Sequence, residues 1–264
     1  MPELAEVAYY CSRWNPGLGE RILRVHMNGQ KRCFRGVDAS QLAGALSGNR
    51  LVSSHTHGKR MLFKLDQGLW LGIHLGMTGS LLMRRKEAEL EKHDHLALET
   101  RVAWLVFNDP RQFGRIEHHE SKGLPEFWRN LPPETISERF DFQHFRRFAE
   151  KGAKQPLKSA LLDQSRFPGV GNWMADEILW HSRIRPQRSI ATLNEHELKD
   201  LFRAIKRVSR IAMKRIAPDF SDPPKSWLFH RRWKAGGLCP KTGAHLNRDS
   251  IGGRTTCWSN AWQR

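Results

Sequence analysis

The apolar positions of this chain change their period twice between the N-terminus and the C-terminus. Residues 2–14 read as a helix. Pro2 suits its first turn, Glu3 and Glu6 suit its positive end, and Asn15-Pro16-Gly17 stops it. From 20 to 120 the period shortens to that of strands. Leu62-Phe63-Lys64-Leu65, Leu69 to Leu75 and Ala103 to Phe107 are short apolar or alternating runs. Asp66-Gln67-Gly68 and Asn108-Asp109-Pro110 punctuate them as turns. Strands in such close succession predict a sandwich or barrel. A linker follows over 124–139, with Pro125, Pro132 and Pro133. Helical spacing then takes over: Leu157, Leu161 and Leu162 form one stripe, and Ala175, Ile178 and Leu179 a second. A third stripe, Leu198, Phe202, Ile205 and Val208, is opened by Asn194 as N-cap. Between the first two, Phe167-Pro168-Gly169-Val170-Gly171-Asn172 is a turn that exposes successive N–H groups, suited to holding a phosphate. The tail from Trp227 is Gly-rich and basic, and Gly252-Gly253-Arg254 predicts a hairpin with Arg254 near its tip.

Charge narrows the partner. The 264 residues include 44 Lys and Arg against 27 Asp and Glu, a net charge of +17. The positive charges are spread along the chain, so a folded basic groove is expected rather than a basic arm. Nucleic acid is the first partner class this implies, and an acidic membrane surface the second. No apolar run reaches the ~18 residues of a membrane helix, and the first residues lack the basic and apolar regions of a signal peptide. Four scattered cysteines, at 11, 33, 239 and 257, are too few for a disulfide scaffold. An intracellular setting, cytoplasm and nucleoid or a nucleus, is the expectation. Most of the ten tryptophans are expected in the core or in groove walls.

Six segments carry chemistry in a fixed order. They are Met1-Pro2-Glu3-Leu4-x-Glu6-Val7, Gly58-Lys59, His74 to Ser80, Asp109-Pro110-Arg111-x-Phe113-Gly114, Asp163-Gln164 followed by Gly169-Val170-Gly171-Asn172, and Gly252-Gly253-Arg254-Thr255-Thr256. Together, from Pro2 to Gln263, they resemble the formamidopyrimidine-DNA glycosylase and endonuclease VIII family. The resemblance implies an α+β fold with an N-terminal β-sandwich flanked by helices, a helix–two-turn–helix domain and a C-terminal β-hairpin finger. Domain bounds of 1–123, 140–225 and 226–264 follow, with 124–139 as linker. It also implies a monomeric bifunctional glycosylase and AP lyase of base excision repair, acting on double-stranded DNA with damaged bases or abasic sites and needing no cofactor.

The residue chemistry agrees with that implication. Removal of Met1 would leave Pro2 as a secondary amine, and an α-amino group titrates near roughly 8, so part of it is neutral at physiological pH. Such an amine can attack C1′, expel the base and form an iminium that permits β-elimination; alone, Pro2 reads first as a helix start, and Glu3 with the other five segments turns the reading to chemistry. Glu3 resembles the family's acid/base residue, for which a sheltered cleft would raise the pKa. Glu6, one turn on, is a supporting carboxylate or an ordinary helix-dipole residue. Lys59 and Arg254 resemble the residues that grip phosphates beside the lesion, Arg254 through a planar, bidentate guanidinium. Asn172 resembles a phosphate-binding residue and reads equally as a helix N-cap; Lys158 lies one helix earlier, within reach of a phosphate, and His74 heads a DNA-binding segment. Met77, Arg111 and Phe113 resemble the trio that fills the gap left by an everted base.

Two features depart from the family pattern. Its finger carries two Cys-x-x-Cys pairs, whereas here Thr242 follows Cys239, and the second pair falls on Ser259 and Trp262. One cysteine of four cannot close a tetrahedral site, so a finger without zinc is inferred, with Trp258 and Trp262 as its apolar filling. The segment Ala217 to Lys225 is short and Pro-rich, which makes capping of 8-oxoguanine doubtful and favours ring-opened purines or oxidised pyrimidines. The alternative is a non-catalytic module that binds damaged DNA or structured nucleic acid on the same scaffold. A metal-dependent nuclease is disfavoured, since Glu87, Glu89 and Glu91 read as a solvated run.

Overall fold

The structure, a computed structural model, describes residues 2–150 and 154–264. Met1 lies outside the described residues. The chain divides into two compact units, one of Pro2 with 6–131 and one of 3–5 with 132–264.

The first unit contains most of α1 (Leu4–Ser12) and two antiparallel four-stranded sheets. One sheet has the order β1 (Arg24–Met27), β6 (Asp94–Glu99), β7 (Trp104–Asn108), β5 (Ser80–Arg84). The other has the order β2 (Leu51–His57), β3 (Arg60–Leu65), β4 (Leu69–His74), β8 (Arg115–Glu120). In the second sheet the register sets Met61 beside Ile73 and Ile73 beside Ile116, and these alternate side chains point to one face. In the first sheet Leu98 pairs with Leu105, and Leu81 and Leu96 both flank Phe107. All of them join one buried cluster with Trp14 and Phe34, which is the sandwich expected from the strand period. The outer face of the second sheet buries Leu62 and Trp70 beneath Trp128 of α3 (Glu126–Arg129).

Two local expectations need correcting. The first helix begins at Leu4, so Pro2 and Glu3 precede it instead of forming its first turn. The stretch read as strands also contains α2 (Ala39–Leu46), nucleated by Asp38, whose carboxylate accepts the Gln41 N–H at 3.0 Å.

The second unit packs α4 (Phe142–Glu150), α5 (Leu157–Leu161), α6 (Asn172–His181) and α7 (Glu195–Ile216) around Phe145, Leu161, Met174, Ile178 and Ile205. It ends in a hairpin of β9 (Asn247–Ile251) and β10 (Arg254–Trp258). The Gly252-Gly253 turn has φ of 59° and 71°, the left-handed pair that a two-residue hairpin needs. Asn194 caps α7 as expected, in a reciprocal box with Glu197. Asn194→Ala is expected to cost about 0.5–2 kcal/mol of stability, measurable as a lower denaturation midpoint of the helical unit with unchanged sheet signal.

Candidate nucleic-acid site

Glu3 organises the second unit's part of the site. Its side chain is only 2% exposed. One carboxylate oxygen accepts the N–H of Trp173 at 2.9 Å, and the other accepts those of Gly171 and Met174 at 2.9 and 3.1 Å. Gly171 is the N-cap of α6 and the other two begin its first turn. Those N–H groups have no partner inside the helix, so the carboxylate occupies the positive end of the helix dipole. A Cβ at Gly171 would lie 2.3 Å from the Glu3 carboxyl carbon, so only glycine permits this approach. Glu3 is therefore seated as a hydrogen-bond acceptor for the entry of α6.

Asn172 is the first residue inside α6, which corrects the N-cap alternative: the cap position belongs to Gly171. Its amide Nδ2 donates to the Thr255 carbonyl at 3.0 Å, next to Arg254, while its buried Oδ1 has no hydrogen-bond partner. Arg254 starts β10 beside the glycine turn, exposed and without an ion-pair partner among the described residues. The candidate phosphate residues of α6 and of the hairpin are thus joined through backbone.

Lys158 sits elsewhere than expected. Its side chain is fully buried, and its ammonium donates to Asp176 Oδ1 at 2.5 Å and to the Asn172 carbonyl at 2.6 Å. Burial pulls its pKa down while the Asp176 carboxylate works against that shift. A surface reach to a phosphate is replaced by a prop beneath the turn. Asp176 Oδ2 completes the network by accepting both Arg232 Nε and Nη2, at 3.0 and 2.6 Å, and the Cys257 N–H at 3.1 Å. The neighbouring Glu177 accepts the N–H groups of Leu228 and Phe229. Two buried carboxylates of α6 therefore hold the backbone of the tail. Sequence reading missed Asp176, Glu177 and Arg232; the signal was two adjacent acids on an otherwise apolar helix. At the finger positions, Cys239 and Cys257 pack with Trp180 and Leu228, and Trp262 closes over them. Gln263 Oε1 accepts the Ser259 N–H.

In the first unit, Lys59 lies in the two-residue turn between β2 and β3, after Gly58 at φ 57°, and not within a strand. His74 ends β4; its Nδ1 accepts the Gly76 N–H at 3.0 Å, which leaves the proton on Nε2. Burial, then the charges of Arg60 and Lys59, push its pKa down to about 4. His74 is a neutral N–H donor at physiological pH, not a cation. It borders a cavity of about 220 Å³ with Arg60, Arg115 and Glu117.

Met77 lies on one loop and Arg111 and Phe113 on a second, and a residue that sequence reading left without a role pins both. Buried Asp109 accepts Thr78 Oγ1 at 2.7 Å through one oxygen and the Gly114 N–H at 2.7 Å through the other. Phe113 is exposed and has two guanidinium groups near its ring, Arg111 at 4.9 Å and Arg32 at 5.7 Å from the ring centre. Glu6 lies on α1 beyond the segment that carries Glu3.

Comparison with known proteins decides the family. Residues 1–116 match the formamidopyrimidine-DNA glycosylase N-terminal domain, and residues 131–220 match the H2TH domain of the same enzymes. This chain belongs to the formamidopyrimidine-DNA glycosylase family. A formamidopyrimidine-DNA glycosylase of Thermus thermophilus is 33% identical over 97% of this chain and 96% of the relative. One of Arabidopsis thaliana is 28% identical, over 98% of this chain and 70% of the relative. Among solved structures, Lactococcus lactis Fpg in complex with DNA containing an oxidised pyrimidine superposes with a TM-score of 0.89 at 27% identity, covering all of both chains. The Thermus thermophilus Fpg structure gives 0.81 at 32% identity, covering 99% of this chain and 98% of that one. No helix among the described residues is long and apolar enough to cross a membrane.

Two outcomes follow from this geometry. Asp176→Ala strands the buried Lys158 and Arg232 charges and is expected to cost roughly 3–5 kcal/mol, read by calorimetry, whereas Arg254→Ala should leave the melting temperature unchanged. His74 titrates near 6.5 when unfolded and near 4 when folded, so the unfolded state binds the extra proton between these values. Stability contributed by neutral His74 is present above about 6.5 and is lost as pH falls toward 4. His74→Gln should flatten that acid-side slope in urea titrations run across the range.

Proposed function

We propose that the protein is a bifunctional DNA glycosylase and AP lyase that removes ring-opened purines or oxidised pyrimidines and then cleaves the strand. The observation that carries this reading is the seat of Glu3, a buried carboxylate fixed by three backbone N–H groups one residue after the candidate nucleophile. Once Met1 has been removed, the Pro2 nitrogen is a secondary ammonium that must lose a proton before it can attack. An anionic Glu3 is suited to take that proton and become the acid of the next step. The amine then attacks C1′, the glycosidic bond breaks with its electron pair leaving on the base, and the departing base takes up the proton still on the Pro2 nitrogen. Transfer of the Glu3 proton to the sugar ring oxygen opens the ring and leaves an iminium at C1′. The iminium acidifies C2′; loss of that proton expels the 3′ phosphate, and water releases the sugar fragment.

The other residues bind. Arg254, Lys59 and Asn172 are proposed to grip phosphates, with His74 as a neutral donor. Asn172 must turn its amide from Thr255 to do so, and the unpartnered Oδ1 makes that turn inexpensive. Met77, Arg111 and Phe113 are proposed to fill the vacated stack, Arg111 hydrogen-bonding the orphaned base. The finger is proposed to keep its shape without zinc, through the Asp176 network and the Trp180–Cys239–Cys257 cluster. Relatives that carry the formamidopyrimidine-DNA glycosylase name support the substrate class.

Borohydride reduction in the presence of abasic-site DNA is expected to trap a covalent adduct, and Pro2→Gly or a blocked N-terminus should abolish it. Glu3→Gln should slow base excision by about 10²–10⁴-fold, yet retain trapping at a preformed abasic site, whose ring-opened aldehyde needs no proton on the ring oxygen. Single-turnover excision on matched duplexes should release ring-opened purine or oxidised pyrimidine faster than 8-oxoguanine; the reverse order defeats the lesion assignment.

A further inference from the structure

A groove of about 680 Å³ runs along α7 in the second unit and takes no part in the proposed chemistry. Its floor is formed by Phe140, Phe142, Phe202 and Ile211. Phe140 is buried, while the other three are only half-buried and keep apolar surface toward solvent. The segment 135–142 that forms the far wall is tied to α7. Thr135 Oγ1 donates to Ser209 Oγ at 2.9 Å, and Lys206 Nζ donates to the carbonyls of Ser137 and Phe140 at 2.7 and 3.2 Å. Phe202 stacks on Phe140 with ring centres 6.0 Å apart and meets Phe142 nearly edge-on at 5.5 Å. Both walls are fixed, so the opening is preformed and a ligand would not have to order it.

Along the near wall, Arg203, Arg207 and Arg210 follow one another at helical spacing, continued along α7 by Lys214 outside the groove lining, and all four are exposed. Arg203 pairs with Asp200 at 3.0 Å, whereas the other three have no carboxylate partner among the described residues. We propose that this groove docks an acidic protein segment bearing bulky apolar side chains. Its carboxylates meet the arginine stripe, and its apolar anchor fills the phenyl-lined floor, the combination that gives helix-in-groove recognition its affinity and its orientation. A phosphate backbone fits less well. Exposed Glu138 and Asp141 on the opposite wall repel phosphate and peptide carboxylate alike, so they require the segment's acids to lie on the arginine side and its apolar anchor to take the floor. The Phe140 and Phe202 faces that a base would stack on are already stacked on each other.

The test uses the full chain and a short fluorescein-labelled peptide of aspartates and glutamates carrying two phenylalanines one helical turn apart. Anisotropy should report saturable binding, weakened about tenfold by Arg207→Glu with Arg210→Glu, and weakened comparably on the unaltered protein when the peptide's phenylalanines are serines. Cleavage of abasic-site duplex by the charge-reversed variant should be unchanged. Absence of saturable binding, or equal affinity for the serine peptide, overturns the proposal. Displacement of the peptide by oligo-thymidine, with the same loss of oligo-thymidine binding in the variant, overturns it in favour of a nucleic-acid platform.

Discussion

One carboxylate at the start of one helix holds the candidate site of the second unit together. Glu3 lies three residues from the N-terminus, where a chain end is ordinarily loose, yet it is among the most buried charged groups of the protein. Three N–H groups of the α6 entry fix it, and Gly171 makes the approach possible by having no Cβ. The Leu4 N–H adds a fourth tie, donating to the Gly169 carbonyl at 3.0 Å. The Gly-Val-Gly-Asn turn, read from sequence as a place for a phosphate, spends its first free N–H groups on a protein carboxylate. The turn is thereby an anchor for the segment next to Pro2, and its phosphate contact is proposed for the side chain of Asn172 alone.

From that anchor α6 distributes order to the tail. Asp176 and Glu177 are adjacent on the helix and both buried, and each accepts backbone N–H groups of the segment that follows α7. Desolvating charge is unfavourable unless every lone pair is matched, and here Lys158, Arg232 and the amides supply the matches. The hairpin bearing Arg254 is therefore positioned by hydrogen bonds from a helix already tied to Glu3. Asp109 does the equivalent work in the first unit, where its two oxygens hold the loops of Met77 and Phe113. In each case a buried acid, itself untouched by substrate in the proposed mechanism, sets the place of an exposed residue.

Much of this was legible in the sequence, and what was not has a physical reason. The strand period, the Asn194 cap and the double-glycine hairpin are local signals, and the structure follows them. Lys158 was misjudged because a lysine on a helix ordinarily faces water; only the acid eighteen residues further on explains its burial. The start of α1 shifted because Glu3 is recruited by a distant helix, a tertiary effect that helix-start rules do not contain. Asp109, Asp176 and Glu177 escaped notice since their partners are mainly backbone amides, which leave no pattern of side-chain types. The groove of α7 was hidden likewise, its floor being assembled from residues 140–142 and 202–211.

The central claim is that the chain acts through the nitrogen of Pro2, with Glu3 held beside it in sequence to manage the proton. Tandem mass spectrometry of the borohydride-reduced, nuclease-trimmed adduct tests this most directly. The account predicts the sugar remnant on the N-terminal peptide, at the Pro2 nitrogen, with residue 1 absent. A remnant on a lysine, Lys59 included, with the Pro2 peptide unmodified, would contradict it.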